Sequence, residues 1–292
     1  MDITLALGGG GAKGNAHIGV LRVLEQEGFR VRAVAGTSFG GIVAAFYAAG
    51  YSPQEIEEIF SAVDQAHLYG RRPNEGPALL GLAGVERFLD EYIGERTFDD
   101  LRIPCALTAV DLNSTSEIVL QEGKVKDAVL ATIALPGIFP ACHMEGYELV
   151  DGGVLDPVPV SVARSLAPSL PVVAVVLSRP VGEPSAAWSL ALPGVPSPIA
   201  HGLRRLRVTQ AMDVFLRSVE IGSRMVTELR LKVDAPDVVI RPKVAHIGLL
   251  QQVDVAEVAR LGEEAAREVL PDLRRVVSWP NRLWRALVAR GR

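Results

Sequence analysis

The sequence predicts an α/β fold, a three-layer sandwich with a mostly parallel central sheet and helices on both faces. Three observations carry the expectation. Over the first 180 residues, apolar runs of strand length alternate with segments of helical period. A valine-rich run, "PVVAVVL", has the texture of a strand buried on both faces. The chain has 292 residues, 49 % of them hydrophobic and 22 % charged, enough to bury one large core and too apolar for general disorder.

"ITLAL" is the first strand. "NAHIGVLRVLEQEG" then places Ile18, Leu21 and Leu24 at helical spacing, and Gly28 stops it. "VRAVAG" is the second strand, and "FGGIVAAFYAAG" is a helix whose small residues demand close packing. In "SPQEIEEIFSAV", Ser52 is the N-cap and Pro53 the first helical residue. "PCALTAVDL" and "EIVLQEG" read as strands, and "KVKDAVLATIAL" as a helix that ends before Pro136.

Around residues 180–200 the sequence becomes rich in Pro and Ser without periodicity and reads as a loop or lid. Helical patterns run from about His201 to Leu231, followed by a strand in "DVVIRP" and a helix in "DVAEVARLGEEAAREVL". With no internal repeat and no charged linker, residues 1–275 read as one domain. Residues 276–292 form a basic amphipathic tail, with Leu283, Trp284, Leu287 and Val288 on one helical face among arginines. Such a face either docks on the domain or lies in a membrane surface.

The formal net charge of −4 gives no whole-chain electrostatic case for nucleic-acid binding. Cys105 and Cys142 are too few for a disulfide framework and lack metal-ligand spacing, and they suit a reducing cytoplasm. The N-terminus has no basic leader, and no apolar stretch approaches the roughly 18–20 residues of a membrane span. The expectation is a cytoplasmic protein, peripheral at most to a membrane.

Two motifs carry chemistry. "GGGGAKG" joins the first strand to the first helix, and Gly9, Gly11 and Gly14 satisfy G-x-G-x-x-G. A dinucleotide site also wants an acid at the end of the second strand, and a P-loop wants Gly-Lys-Ser/Thr; neither is present. Successive glycines followed by a helix still make a cup of amide N–H groups that suits a developing oxyanion. The second motif is Gly36-Thr37-Ser38-Phe39-Gly40, a G-x-S-x-G at a strand-to-helix turn. Ser38 is there either a nucleophile or an N-cap. Parallel strands bring both motifs to one sheet edge, which favours the nucleophile.

A serine needs a base. His17 lies in the first helical turns after the glycine run and reads as structural. His67, His143, His201 and His246 have no acid at an orienting spacing. Asp151, followed by Gly152 and Gly153, stands at the end of a short strand. Such a carboxylate is most simply a turn residue, but burial beside a serine would raise its pKa and make it a base.

Taken in order, the glycine-rich loop with its basic residue, the G-x-S-x-G turn and the downstream D-G-G resemble the patatin-like phospholipase family. The likeness extends through "ALTAVDL", "ATIALPGIFPA" and "DGGVLDPVPV", covers roughly residues 3–178, and continues more weakly to about Leu270. The resemblance implies a patatin-like fold with an oxyanion loop over Gly9, Gly10, Gly11, Ala12, Lys13 and Gly14. Ser38 would be the nucleophile and Asp151 the base, flanked by Gly36, Gly40, Gly152 and Gly153. The amides of Gly10, Gly11 and Ala12 would hold the oxyanion, with Lys13 adding positive potential.

The expected activity is serine acyl hydrolysis of phospholipid or lysophospholipid esters through a Ser-Asp dyad, with a lipid ester as partner and no metal or organic cofactor. Asp156 stands where the family often has Asn, which leaves a second aspartate as candidate base. Thr132 replaces a common Ser, a change expected to be harmless. The rival readings are an α/β-hydrolase with a triad through His201 or His246, and a non-catalytic lipid- or nucleotide-binding module.

Overall fold

Five parallel strands form the centre of the sheet. β1 (Asp2–Leu7) lies between β2 (Arg30–Thr37) and β7 (Val172–Val175), β3 (Cys105–Asp111) pairs outside β2, and β8 (Val238–Ile240) outside β7. Three antiparallel strands complete it: β4 (Ser116–Leu120) returns along β3, and β5 (Cys142–Met144) with β6 (Tyr147–Asp151) form a hairpin that joins β3. The computed structural model describes residues 1–64, 67–71, 76–182 and 207–278. The expected lid therefore falls outside the described residues from position 183 on, as does the tail from position 279.

The expected mostly parallel sheet holds for its centre. The strand–helix alternation breaks at β3–β4 and β5–β6, where short turns replace crossovers and reverse the chain direction.

The two faces of the sheet differ in side-chain size. Ile3, Leu5, Leu7 and Val34 join the larger core with α1 (Ala16–Gln26), α2 (Phe39–Ala49), α3 (Pro53–Ala62) and α5 (Val125–Thr132). α4 (Ala83–Tyr92) and α8 (Val255–Glu268) also contribute, and α8 packs along α1. Local signals set the ends of these helices. Gly50, at φ 101°, closes α2, and α3 opens on a capping box in which Ser52 and Glu55 exchange hydrogen bonds.

The other face is built from small residues. Ala106, Ala35, Ala6 and Ala174 stand in register across β3, β2, β1 and β7, all fully buried. This row lets the short α6 (Val160–Leu166) lie on the sheet, with Val160 and Ala163 against the alanines. The long α7 (Arg207–Asp234) packs on α6, and α9 (Leu270–Val276), the last of the described helices, packs against β8. Among the described residues no helix is long and apolar enough to cross a membrane.

The alanine row sets the sheet-to-helix distance on the face behind the D-G-G turn. Ala35→Leu is expected to lower stability by about 1–3 kcal/mol, the usual cost of forcing methylenes into a filled core. Thermal melting checks this, and an unchanged melting temperature would mean that α6 has slack the packing does not suggest.

Candidate active site

Two strand ends meet along one edge of β3. β2 pairs with β3 up to Thr37 opposite Thr108, and β6 takes over at the next residue with Asp151 opposite Ala109. β4 overlaps both pairings and so occupies the other edge. β2 and β6 therefore run head to head, and the residue that leaves β2, Ser38, faces the last residue of β6, Asp151.

Ser38 is the single residue between β2 and α2, at φ 55° and ψ −129°. A non-glycine residue there costs on the order of 1–3 kcal/mol and persists only where the surroundings enforce it. Close packing supplies the enforcement. A Cβ on Gly40 would stand 2.2 Å from the Leu7 carbonyl oxygen, so only glycine lets the first turn of α2 pass the end of β1. The turn is also tied through Thr132, whose hydroxyl accepts the Ser38 N–H at 2.9 Å and donates to the Thr108 carbonyl at 2.6 Å. Thr37 Oγ1 lies 2.7 Å from Thr108 Oγ1 and donates to the Asp156 carbonyl at 2.9 Å. All three threonines are fully buried. Thr132, expected to be a harmless replacement, thus holds the serine turn.

Asp151 is 3 % exposed. Its Oδ1 accepts the Gly153 N–H at 2.7 Å, and its own N–H donates to the Ala134 carbonyl at 2.9 Å. Burial pushes its carboxyl up to about 6, against the opposing pull of the Ser38 hydroxyl and the Gly153 amide. A carboxylate hydrogen-bonded to a serine, and of such basicity, can accept that serine's proton.

The glycine loop adjoins Ser38, since a Cβ on Gly9 would stand 3.0 Å from Ser38 Cβ and 3.8 Å from its Oγ. One expected donor needs correction. The Ala12 N–H donates to the Leu249 carbonyl at 2.8 Å and so is engaged in holding the loop. The Gly9 N–H is likewise engaged, with the Pro157 carbonyl at 3.0 Å. Gly11, at φ 58°, and Gly10 lie between these two anchors. Lys13 lies in the middle of the loop's 3-10 turn (Gly11–Asn15), half-buried, and desolvation lowers its pKa.

Asp156 stands apart from the serine. It is fully buried, and its Oδ2 accepts from Arg230 of α7 at 2.7 Å. Burial and the nearby Glu117 raise its pKa, while Arg230 opposes them. Neither of the two cavities that open at Ser38 includes it. Arg230 also reaches Glu117 and Asp234, each at 3.3 Å, so this aspartate clasps α7 to the D-G-G turn.

The histidines are placed elsewhere. His17 Nε2 donates to the Gly8 carbonyl at 2.8 Å, and burial holds its ring at about 4, so it is a neutral strut under the glycine loop. His67 pairs with Asp64 at 2.7 Å and His143 lies 3.9 Å from Glu148, with both histidines exposed. His246 is exposed and lines neither cavity, and His201 is outside the described residues.

Ser38 and Asp151 sit where the two cavities meet. The first, about 130 Å³, is apolar, with Phe39, Ile42, Phe60, Phe88 and Phe139 in its wall. The second, about 140 Å³, is lined by Gly9, Gly10 and Lys13 together with charged residues of α7. Tyr69 and Phe139 stack at 5.4 Å in the first wall. No spacing in the sequence singled out these aromatic residues or Leu249.

Residues 5–164 match the family model described as patatin-like phospholipase. An uncharacterized NTE family protein of Mycobacterium tuberculosis is 34 % identical over 162 residues, 54 % of this chain and 44 % of that protein. Lysophospholipase NTE1 of Mycosarcoma maydis is 31 % identical over 57 % of this chain and 9 % of its own length. The chain thus spans less than half the length of these relatives. The crystal structure of VipD from Legionella pneumophila has the same fold, with a TM-score of 0.52 at 12 % identity over 92 % of this chain and 66 % of that one. The family match covers more than half of the chain, which belongs to the patatin-like phospholipase family.

The threonine tie generates a paired test. Thr132→Val leaves the buried Ser38 N–H without its acceptor, so stability should fall by about 1–3 kcal/mol and fluorophosphonate labelling of Ser38 should slow. Thr132→Ser keeps the hydroxyl and should label at close to the unmodified rate. Equal labelling of the Val variant would show that the turn holds itself.

Proposed function

We propose that this member of the patatin-like phospholipase family is a serine acyl hydrolase that cleaves fatty-acyl esters of phospholipids or lysophospholipids with a Ser38–Asp151 dyad. The observation that carries the reading is the strained Ser38 opposite a buried carboxylate whose pKa is about 6. A turn residue with no role in chemistry would not require that combination. The apolar cavity beside Ser38 suits an acyl chain, and the similarity to Lysophospholipase NTE1 supports the substrate class.

Attack begins as Ser38 Oγ bonds to the ester carbonyl carbon and Asp151 takes the hydroxyl proton. The carbonyl electrons move to the oxygen, which becomes an oxyanion. The amides of Gly10 and Gly11 are the donors assigned to it, with the N-terminal dipole of α2 and the positive potential of Lys13 behind them. When the oxyanion collapses, the ester C–O bond breaks and the departing alcohol receives the proton from Asp151. Water then enters and attacks the acyl carbon as Asp151 takes its proton; the bond to Ser38 Oγ breaks and Asp151 returns that proton to Oγ, leaving a fatty acid, free Ser38 and an ionised Asp151. A single carboxylate thus serves as base and then acid in each half of the reaction, which demands that its pKa lie near the working pH. Asp156 is assigned a structural role, because Arg230 already occupies its carboxylate.

Ser38→Ala and Asp151→Asn should each reduce hydrolysis of a short-chain ester by several orders of magnitude. No folded His→Ala variant should match that loss; one that did would restore a triad.

The dyad also has a pH signature. Asp151 acts as a base only when ionised, so kcat/KM should fall about tenfold per unit below pH 6. Its folded-state pKa is raised, so its contribution to stability is present below about pH 4 and lost as pH rises through about 6. Asp151→Asn should therefore melt higher than the unmodified protein at pH 8 while inactive. A variant that is inactive and melts lower would mean that Asp151 holds the fold and leave its catalytic role without support.

A further inference from the structure

Behind the D-G-G turn, four charged side chains meet without balancing their charge. Arg230 of α7 donates through Nη2 to Asp156 Oδ2 at 2.7 Å and to Glu117 Oε2 of β4 at 3.3 Å. Its Nε stands 3.3 Å from Asp234 Oδ2. With every group ionised, three carboxylates and one guanidinium would sum to −2, although the Asp156 side chain is fully buried and that of Asp234 only 10 % exposed. Arg164 of α6 reaches the same end of α7, where it takes the Asp234 and Ala235 carbonyls and pairs with Asp237. Uncompensated charge in such a place is costly.

The oxygens are short of donors as well. Asp156 Oδ1 and Glu117 Oε1 are both buried and have no hydrogen-bond partner among the described residues. The two side chains are nevertheless within hydrogen-bonding reach of each other. Two ionised carboxyls offer only acceptors, so a bond between them needs a proton.

Asp156 touches the site through its backbone. Its N–H donates to the carbonyl of Gly152, the residue after Asp151, at 2.8 Å. Its carbonyl accepts the hydroxyl of Thr37, the residue before Ser38, at 2.9 Å. One residue thus bridges the neighbours of Ser38 and Asp151, and its side chain anchors that bridge to α7 and β4.

We propose that Asp156 and Glu117 share one proton, and that this carboxyl–carboxylate pair, gripped by Arg230, is a positioning device that sets Ser38 against Asp151. Its effect on activity rests on the dyad reading; the proton itself does not. Burial raises the Asp156 pKa and Glu117 adds to the rise, against the pull of Arg230. When the proton leaves, three ionised carboxylates crowd one guanidinium and the bridge loosens.

Asp156→Asn supplies a permanent donor and acceptor and cannot ionise. A raised folded-state pKa contributes stability below about pH 4 that is lost as pH rises through the raised value. The melting temperature of Asp156→Asn minus that of the unmodified protein should therefore grow above about pH 4 and then level off. Asp151 titrates in both proteins and cancels from the difference. Glu117→Gln, whose amide can donate to an ionised Asp156, should shift in the same direction and serves if Asp156→Asn fails to fold. A difference independent of pH in a folded variant overturns the shared proton.

Activity reads the positioning. With a soluble short-chain ester, kcat/KM of the unmodified protein should fall on the alkaline side to a plateau about tenfold lower, since a misplacement of about 1 Å can cost about a hundredfold. Asp156→Asn should keep the acid limb set by Asp151 and lose the alkaline one. An alkaline limb that persists in Asp156→Asn, or is missing from the unmodified protein, overturns the positioning role. If no ester is hydrolysed, the hydrolase reading fails on its own, and the melting comparison still decides whether the pair holds a proton.

Discussion

A β-strand has two edges, and β3 divides one of them between two partners. β2 uses the edge as far as Thr108, and β6, running the opposite way, uses it from Ala109. Consecutive positions on one strand are a little over 3 Å apart, so the residues that terminate the two partners are forced into proximity. Ser38 and Asp151 come 113 positions apart in sequence, yet their separation in space follows from this shared register. The hairpin of β5 and β6 is what makes this possible. A parallel crossover at that point would bring in a strand pointing the same way as β2, and its C-terminal residue would lie far from Ser38.

The arrangement carries energetic costs in two places. Ser38 holds a backbone conformation that costs about 1–3 kcal/mol. Asp151, displaced from 3.8 to about 6, costs a further ~3 kcal/mol when ionised at neutral pH. Against a typical net stability of about 5–15 kcal/mol these are large. They persist because neighbouring groups leave few alternatives. The threonine chain satisfies the polar atoms around the turn, Gly40 lets α2 pass close to the end of β1, and His17 and Leu249 pin the glycine loop from either side. The clasp between Asp156 and Arg230 fixes the D-G-G turn from behind. Removing Arg230 alone would strand Asp156 as a buried unpaired carboxylate, the more destabilising way to break such a pair.

How much of this was legible in the sequence depends on whether a feature is local. Strand and helix positions over the first 180 residues followed from periodicity, glycine stops and the Ser52 cap, because those signals act within a few residues. Ser38, the glycine loop and Asp151 were also legible, each within a short motif. The glycine loop and Ser38 were expected to meet because parallel strands end at one sheet edge. The approach of Asp151 was carried only by the family resemblance, since it depends on a register between β3 and β6 that no local pattern encodes. Thr132 was expected to be a harmless stand-in for serine, and the hydroxyl the two share is the group that bonds Ser38, but its tie to the serine turn could not be read from its position in the sequence. Ala12 seemed a free amide for the same reason, for its acceptor, the Leu249 carbonyl, comes from a segment 237 positions away. The alanine row was readable only as small residues within separate strands, and became a surface once the strands were paired.

The same logic shows what would let a carboxylate serve as the proposed base, a place that histidine takes in a Ser-His-Asp triad. A solvated aspartate is too weak a base for a serine hydroxyl, since its charge is well satisfied by water. At 3 % exposure Asp151 has lost that solvation, and among the described residues its carboxylate takes hydrogen bonds from Ser38 and Gly153. Its basicity therefore comes from a cavity wall rather than from a third residue behind it. A histidine would need an orienting acid on its far side, and the far side of Asp151 is the strand β6 and the Ala134 carbonyl that anchors its backbone. Apolar lining on one side of Ser38 and Asp151 desolvates the carboxylate, while the lining on the other side is polar, so the packing that raises the Asp151 pKa also leaves the pair between two chemically different walls.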